Sequence, residues 1–325
     1  MMHAKKNQKS FLANTLEIIG LLLLVFLIRT FGFGLYQVPS GSMETTLLVG
    51  ERFFADKFSY LFREPARGDV ISFNEPSMSY QYSDNKLVNM FQRYVWGPSN
   101  WTKRVIGLPG DEVQGVIEDG HPVVYLNGKK LDEPYLNKYP LIHLWSQDPT
   151  SLIEHAQREQ HRLVMSGIEP SRAQKIVAYE LMRYELPARS YDPNVSYENQ
   201  PFYRINPQLV KKNAEGMPEL TWPGTPQYSQ HGHERIAQKR NYWDGSDEFY
   251  VKLASDEYWV MGDNRLGSKD CRVFGPIKRD LIHGKIVLRI WSLDSDYSWW
   301  IVDLISHPID FWKRMRWSRF FQWVR

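Results

Sequence analysis

The sequence predicts a mostly β chain of antiparallel character, set behind one apolar N-terminal helix and interrupted by a partly helical insertion. Three observations carry that prediction. Residues 18–28 are all apolar except Gly20. Short β-compatible runs bounded by turn residues recur from 38 to about 134 and again from 249 onward. Between them, residues 135–249 lose that pattern and carry helix signals instead.

The apolar run alone is about 16 Å long as a helix, whereas a bilayer core needs about 30 Å. Extended over residues 16–35 it reaches about 30 Å, with Glu17 and Arg29 toward the ends, where long charged side chains reach the headgroups. Lys5, Lys6 and Lys9 precede it, and no acid comes before Glu17. Positive flanks stay in the cytoplasm, which puts the chain after Tyr36 on the outer side. A cleaved signal peptide is the alternative, but no Ala-x-Ala-like site follows; the run passes through bulky Phe31, Phe33 and Tyr36. Residues 1–36 are therefore expected to be a cytoplasmic N-terminus and an uncleaved anchor.

Residues 37–134 form the first part of the expected β-domain. Stretches 51–55, 70–73 and 103–106 read as strands, and 123–126 followed by Asn127-Gly128 reads as a hairpin, because Asn-Gly favours a type I′ turn. Residues 85–95 are compatible with a short helix. In the expected insertion, 135–249, Asp148-Pro149 supplies an N-cap and a first helical residue, and Gly167 a stop. A second helix begins near Ser171 and ends before Pro187. Residues 191–243, rich in Pro, Asn, Gln and Gly, read as irregular. Strands resume at 249–251, 258–261 and 285–288, so 250–292 complete the β-domain. The tail, 293–325, mixes aromatic residues such as Trp312, Trp317 and Trp323 with Lys313, Arg314, Arg316 and Arg319. It fits either a segment lying in a membrane interface or one packing on the domain.

Composition narrows the function classes. The 325 residues suffice for one or two domains. Twelve tryptophans and eighteen tyrosines point to a membrane interface, and a net charge of +3 is too small to imply nucleic acid. With Cys271 as its single cysteine the chain forms no intrachain disulfide.

Two stretches carry chemistry. Ser42 sits in Pro39-Ser40-Gly41-Ser42-Met43, just beyond the apolar run, and Lys103 heads Lys103-Arg104-Val105-Ile106. A serine hydroxyl attacks a carbonyl only when a neighbour takes its proton. A lysine does this when neutral, which requires an apolar setting that lowers its pKa. On a strand Lys103 shares a face with Val105; Arg104 cannot be the base, because arginine does not deprotonate in proteins. In an extended chain Ser40 and Ser42 point the same way, so the Ser40 hydroxyl and the Ser42 backbone N–H are candidates for an oxyanion hole. None of the nine histidines (3, 121, 143, 155, 161, 231, 233, 283 and 307) falls in these stretches. A Ser-His-Asp arrangement is the rival. His231 and His233 alone are a weak metal signal, and no metal is expected.

Ser40-Gly41-Ser42-Met43, Gly68-Asp69-Val70-Ile71, the 103–111 stretch and Gly262-Asp263-Asn264-Arg265 resemble, in order, the boxes of the bacterial type I signal peptidases. The boxes cover about a quarter of the chain. The resemblance implies an antiparallel β catalytic domain of the signal peptidase type and a serine endopeptidase that releases mature proteins from exported preproteins. Small residues, typically Ala, are implied at the first and third positions before the cut. It supports Ser42 as nucleophile, Lys103 as base, and Ser40 with Ser42 at the oxyanion. It implies that Ser268 orients the lysine, that Asp270 and Arg272 form an ion pair near the site, that Asp263 holds the loop, and that Val38, Met43 and Leu47 help line small pockets. No cofactor is implied. The partners are preproteins, membrane lipid and the secretion machinery, and the place is the outer face of the bacterial cytoplasmic membrane, with a single-pass anchor.

Two positions depart from the pattern. Thr45 stands where proline is usual, and Cys271 where serine is common; a cysteine nucleophile is a further reading. Two other functions stay open. One is a specialised relative serving a single pilin or conjugation substrate, with the insertion narrowing choice. The other is an inactive anchored β-domain that binds extended peptides.

Overall fold

The computed structural model describes residues 11–76, 85–91, 100–181, 184–224, 242–243, 247–295, 297 and 299–325. The three N-terminal lysines lie outside them. Helix α1 (Phe11–Leu27) belongs to a 20-residue apolar stretch, Ala13–Gly32, of mean hydropathy 2.0. Its large apolar side chains are exposed.

The helical stretch ends before residue 36. A turn of π-helix (Ile28–Gly32) leads into β1 (Phe33–Gln37), which pairs antiparallel with β2 (Arg52–Asp56), Leu35 opposite Phe54. The cause is local. The Gly32 carbonyl accepts from the N–H groups of Lys57 and Phe58 at 3.0 and 3.2 Å, so the backbone leaves the helix where the end of β2 captures it.

The chain continues through β3 (Val70–Asn74), α2 (Lys86–Phe91), β4 (Asn100–Gly107), β5 (Glu112–Glu118), β6 (His121–Leu126) and β7 (Lys129–Lys130). The α2 helix covers part of the expected 85–95 helix, and 92–95 lie outside the described residues. Asn127 and Gly128 have φ of 50° and 76°, both positive as a type I′ turn requires.

The insertion contains β8 (Leu141–Trp145), α3 (Pro149–Met165), α4 (Pro170–Leu181), β9 (Glu185–Ser190), β10 (Leu220–Thr221) and β11 (Tyr242–Trp243). Asp148 caps α3 by accepting from the Ser151 N–H, and Gly167 takes φ +92° between the helices. Strands β10, β8 and β9 make a sheet of their own. Sequence reading missed them: β10 is too short to alternate, and β8 is buried on both faces.

After the insertion come β12 (Phe249–Lys252), β13 (Glu257–Met261), α5 (Cys271–Phe274), β14 (Ile277–Lys278) and β15 (Ile282–Trp291). The main sheet runs β1-β2-β15-β3-β4-β13-β14, and a second runs β11-β12-β5-β6-β7. Ile71, Phe73, Val105 and Trp259 of the first sheet share one apolar core with Val113, Val124, Phe249 and Val251 of the second. Trp259 is fully buried there, and burial of so large a ring is a major apolar term. The sequence-based segments do not pack as separate bodies: Leu48 of the first shares a cluster with Ile142, Tyr203 and Val210 of the insertion.

The tail holds α6 (Trp300–Ser306), α7 (Pro308–Lys313) and β16 (Gln322–Trp323), which pairs with β15. It packs on the domain through Phe311 and Met315 around Leu293. Arg314 pairs with buried Asp303 at 2.5 Å. Trp299, Ile309, Trp312, Trp317 and Trp323 nevertheless remain exposed, so the segment packs through one set of side chains and presents another.

Candidate active site

The nucleophile candidate lies in a turn of 3-10 helix, Gly41–Met43, entered from an extended Ser40 (φ −142°, ψ 157°). Turn geometry thus replaces the extended chain that would align Ser40 with Ser42: Ser42 is buried and Ser40 exposed. Asn264 fixes the turn. Its side-chain amide donates to the Gly41 carbonyl at 2.9 Å and its N–H to the Ser42 carbonyl at 3.2 Å.

Lys103 comes from β4, flanked by β3 and β13 in the main sheet. Its Nζ lies 2.8 Å from Ser42 Oγ and donates also to the Thr102 carbonyl at 3.1 Å. Only 5% of Lys103 is exposed. Burial lowers its pKa to about 8; the Asp270 carboxylate pulls against this and Arg272 adds to it. Desolvation penalises the ammonium form, so Lys103 is tuned toward neutrality.

The loop after β13 closes over the pair. A Cβ on Gly262 would lie 2.4 Å from the Ser42 carbonyl oxygen and still closer to Ser268 Oγ, so only glycine allows this approach. Ser268 Oγ lies near enough to Asp270 to help hold its carboxylate charged. Among the described residues it completes no hydrogen bond of good geometry, to Lys103 or elsewhere. Asp270 and Arg272 pair at 2.9 Å, and the Asp270 pKa is lowered against the cost of burial by Arg272. Asp263 receives Arg104 through two bonds of 2.8 and 2.7 Å, and accepts from Thr46 Oγ1 at 2.5 Å. The strand that carries Lys103 on one face thereby carries on the other a cation that holds Asp263, and Asp263 in turn ties the loop to Thr46, just beyond the Ser42 turn.

Val38, Met43 and Leu47 do come together, in an apolar cluster with Val70, Ile286 and Val324. Val324 arrives from the far end of the chain and escaped sequence reasoning. The turn lacking proline at 45 is clamped from the tail: Arg319 donates to the carbonyls of Thr45 and Thr46 at 3.1 and 3.0 Å. It also pairs with buried Glu51 at 2.5 Å, which binds Arg289 as well. Glu44, Asn264 and Arg319 were missed as contributors. Each is a common polar residue whose partner lies far along the chain; only Asn264 had a signal, its place in a quoted box.

The rivals fare differently. No described histidine is hydrogen-bonded to Ser42; His283, whose pKa burial lowers to about 4, bonds Asn100 at 2.6 Å. His3, His231 and His233 lie outside the described residues. Among the described residues no group of three His, Cys, Asp or Glu side chains could hold a metal ion. Cys271 is fully buried, accepts from the Val260 N–H at 3.1 Å, and is pushed well above the ordinary thiol range by that burial. A buried, protonated thiol is a poor nucleophile.

A family model described as "Signal peptidase, peptidase S26" matches residues 12–178 and 192–291. The chain is 25% identical over 311 residues to signal peptidase I of Buchnera aphidicola (subsp. Acyrthosiphon pisum), an alignment covering 91% of this chain and 80% of that protein. It is 36% identical over 135 residues to signal peptidase I T of Bacillus subtilis, covering 42% of this chain and 58% of that protein. A solved signal peptidase I from Enterococcus faecalis matches at 16% identity and a TM-score of 0.26, over 69% of this chain and 97% of that one.

Proposed function

Because the chain belongs to the signal peptidase family, peptidase S26, it is a serine endopeptidase that cleaves signal peptides, and we propose that it does so with Ser42 as nucleophile and neutral Lys103 as general base. The observation that carries this reading is the 2.8 Å contact between Lys103 Nζ and Ser42 Oγ inside a buried site.

Neutral Nζ takes the Ser42 hydroxyl proton as Oγ attacks the scissile carbonyl. The Ser42 N–H and, on rotation toward the substrate, the Ser40 hydroxyl hold the developing oxyanion. Lys103, now an ammonium, returns the proton to the departing amine, which leaves the signal peptide esterified to Ser42. A water that gives its proton to Lys103 then attacks the ester, and Ser42 regains its hydrogen as the acid departs. Asp270 favours the transient ammonium, and Ser268 acts as the orienting hydroxyl once substrate closes the site.

The substrate segment lies extended, as an added strand. Val38, Met43 and Leu47 bound pockets for small side chains at the first and third positions before the cut. Helix α1 is the single membrane anchor, the β-domain faces outward from the bacterial cytoplasmic membrane, and lipid and the secretion machinery are its surroundings. The test is cleavage of an Ala-x-Ala preprotein in detergent by the wild type, Ser42→Ala and Lys103→Arg. Cleavage by the wild type alone is expected; processing by Ser42→Ala overturns the reading.

A further inference from the structure

Glu44 follows the nucleophile by two residues, and its carboxylate is completely buried. Its hydrogen bonds come from the insertion: the Ser190 N–H at 2.8 Å, the Ser190 hydroxyl at 2.7 Å, and the Tyr203 hydroxyl. Burial raises the Glu44 pKa, and these hydrogen bonds, with Arg189 stacked 4.6 Å over the Tyr203 ring, pull against that rise. A Cβ on Gly41 would lie 2.6 Å from Glu44 Oε1. The carboxylate is therefore pressed against the backbone that leads into Ser42.

The grip extends further. Ser190 accepts from the Asn137 amide at 2.7 Å, and the Asn137 N–H donates to the Asp263 carbonyl at 3.0 Å. Insertion residues thus hold both the nucleophile turn and the loop that closes over Lys103. A buried carboxylate is costly, and an apolar side chain of similar shape would often serve stability better. What the carboxylate adds is directional: three donors fix where it lies, and it fixes the turn.

We propose that Glu44 is a positioning residue, and that the insertion, through Ser190 and Tyr203, sets the turn that aims Ser42 Oγ at Lys103 Nζ. This rests on Ser42 and Lys103 being the reacting pair. The insertion is on this account part of the catalytic frame, not an accessory that only screens substrates.

The test uses the full chain in detergent, one peptide substrate with alanine at the first and third positions before the cut, and rate–pH profiles. Glu44→Gln keeps the shape and removes the charge. Tyr203→Phe keeps the ring and removes one hydroxyl, with the bond it donates to Glu44 and the one it accepts from the Val49 N–H at 3.1 Å, and circular dichroism and melting temperature check that each variant is folded. Expected for both is a kcat lower by about 10–10²-fold, the scale of a misplaced reacting group, with KM within about threefold. The double variant should be no slower than Glu44→Gln, because both changes act on one contact. The midpoint of the acid limb should stay put, since Glu44 is not among the charges that tune Lys103.

Wild-type kcat in both variants overturns the proposal. So does a midpoint that climbs toward the ordinary lysine value with an unchanged plateau, which would report a merely loosened, wetter site. Ser42→Ala separates the two readings. If it still cleaves, the dyad is wrong; if it is inert while the Glu44 and Tyr203 variants match wild type, only the positioning claim falls.

Discussion

Lys103 Nζ and Ser42 Oγ meet at 2.8 Å across 61 residues of sequence, and the pair is dry enough that burial governs the lysine. Activity should therefore rise with pH as the ammonium loses its proton, with a midpoint near 8. Lys103→Arg should be inactive, since a guanidinium does not accept the serine proton. Cleavage rate against pH for both proteins on one peptide checks this; wild-type turnover in the arginine variant would exclude the dyad.

The same burial has a stability signature. The folded pKa of about 8 lies below the ordinary 10.5, so between those values the unfolded chain binds the proton and the native chain does not. Stability should rise with pH across that window, and below it the buried ammonium is a cost. Lys103→Met should stabilise the protein at pH 7 by on the order of 3 kcal/mol, with most of the gain gone by pH 10. Urea unfolding at the two pH values measures it, and an equal gain at both would contradict the assignment.

Ser42→Ala should abolish processing with the fold intact. Ser40→Ala should slow it by roughly 10²–10³-fold, as loss of an oxyanion donor does. Circular dichroism and single-turnover cleavage distinguish these outcomes from misfolding.

Asp263→Asn leaves Arg104 buried without its carboxylate. Removing one partner of a buried pair costs about 3–5 kcal/mol, so the melting temperature should fall well below that of wild type. A variant as stable as wild type would mean that Arg104 finds other compensation.

Cys271 should resist maleimide in the native state and react after unfolding, because its thiol is buried and protonated. Cys271→Ser should retain activity within a few-fold. Loss of all cleavage would revive the cysteine as a reacting group.

Much of this was legible because it is local. The strands at 70–73 and 123–126, the Asp148 cap, the Gly167 stop and the Asn127-Gly128 turn each declare themselves within a few residues. The boxes also pointed to Ser42 and Lys103, which the fold brings to 2.8 Å of one another. The end of the apolar helix was not legible because Phe33 and Leu35 are as apolar as the helix before them; only pairing with β2 makes them a strand. Glu44, Arg319 and Val324 act through partners more than a hundred residues away. No window of sequence holds both halves of such a contact.

The clamp on the nucleophile turn carries a consequence for biosynthesis. Arg319 reaches back 274 residues to the Thr45 carbonyl, and Arg104 holds the Arg325 carbonyl 221 residues ahead of it. A chain still on the ribosome has made Ser42 and Lys103 long before it can make these bonds, and contacts this distant in sequence form late. The turn that holds Ser42 is thus clamped only after Arg319 has been made and has folded back onto the Thr45 and Thr46 carbonyls.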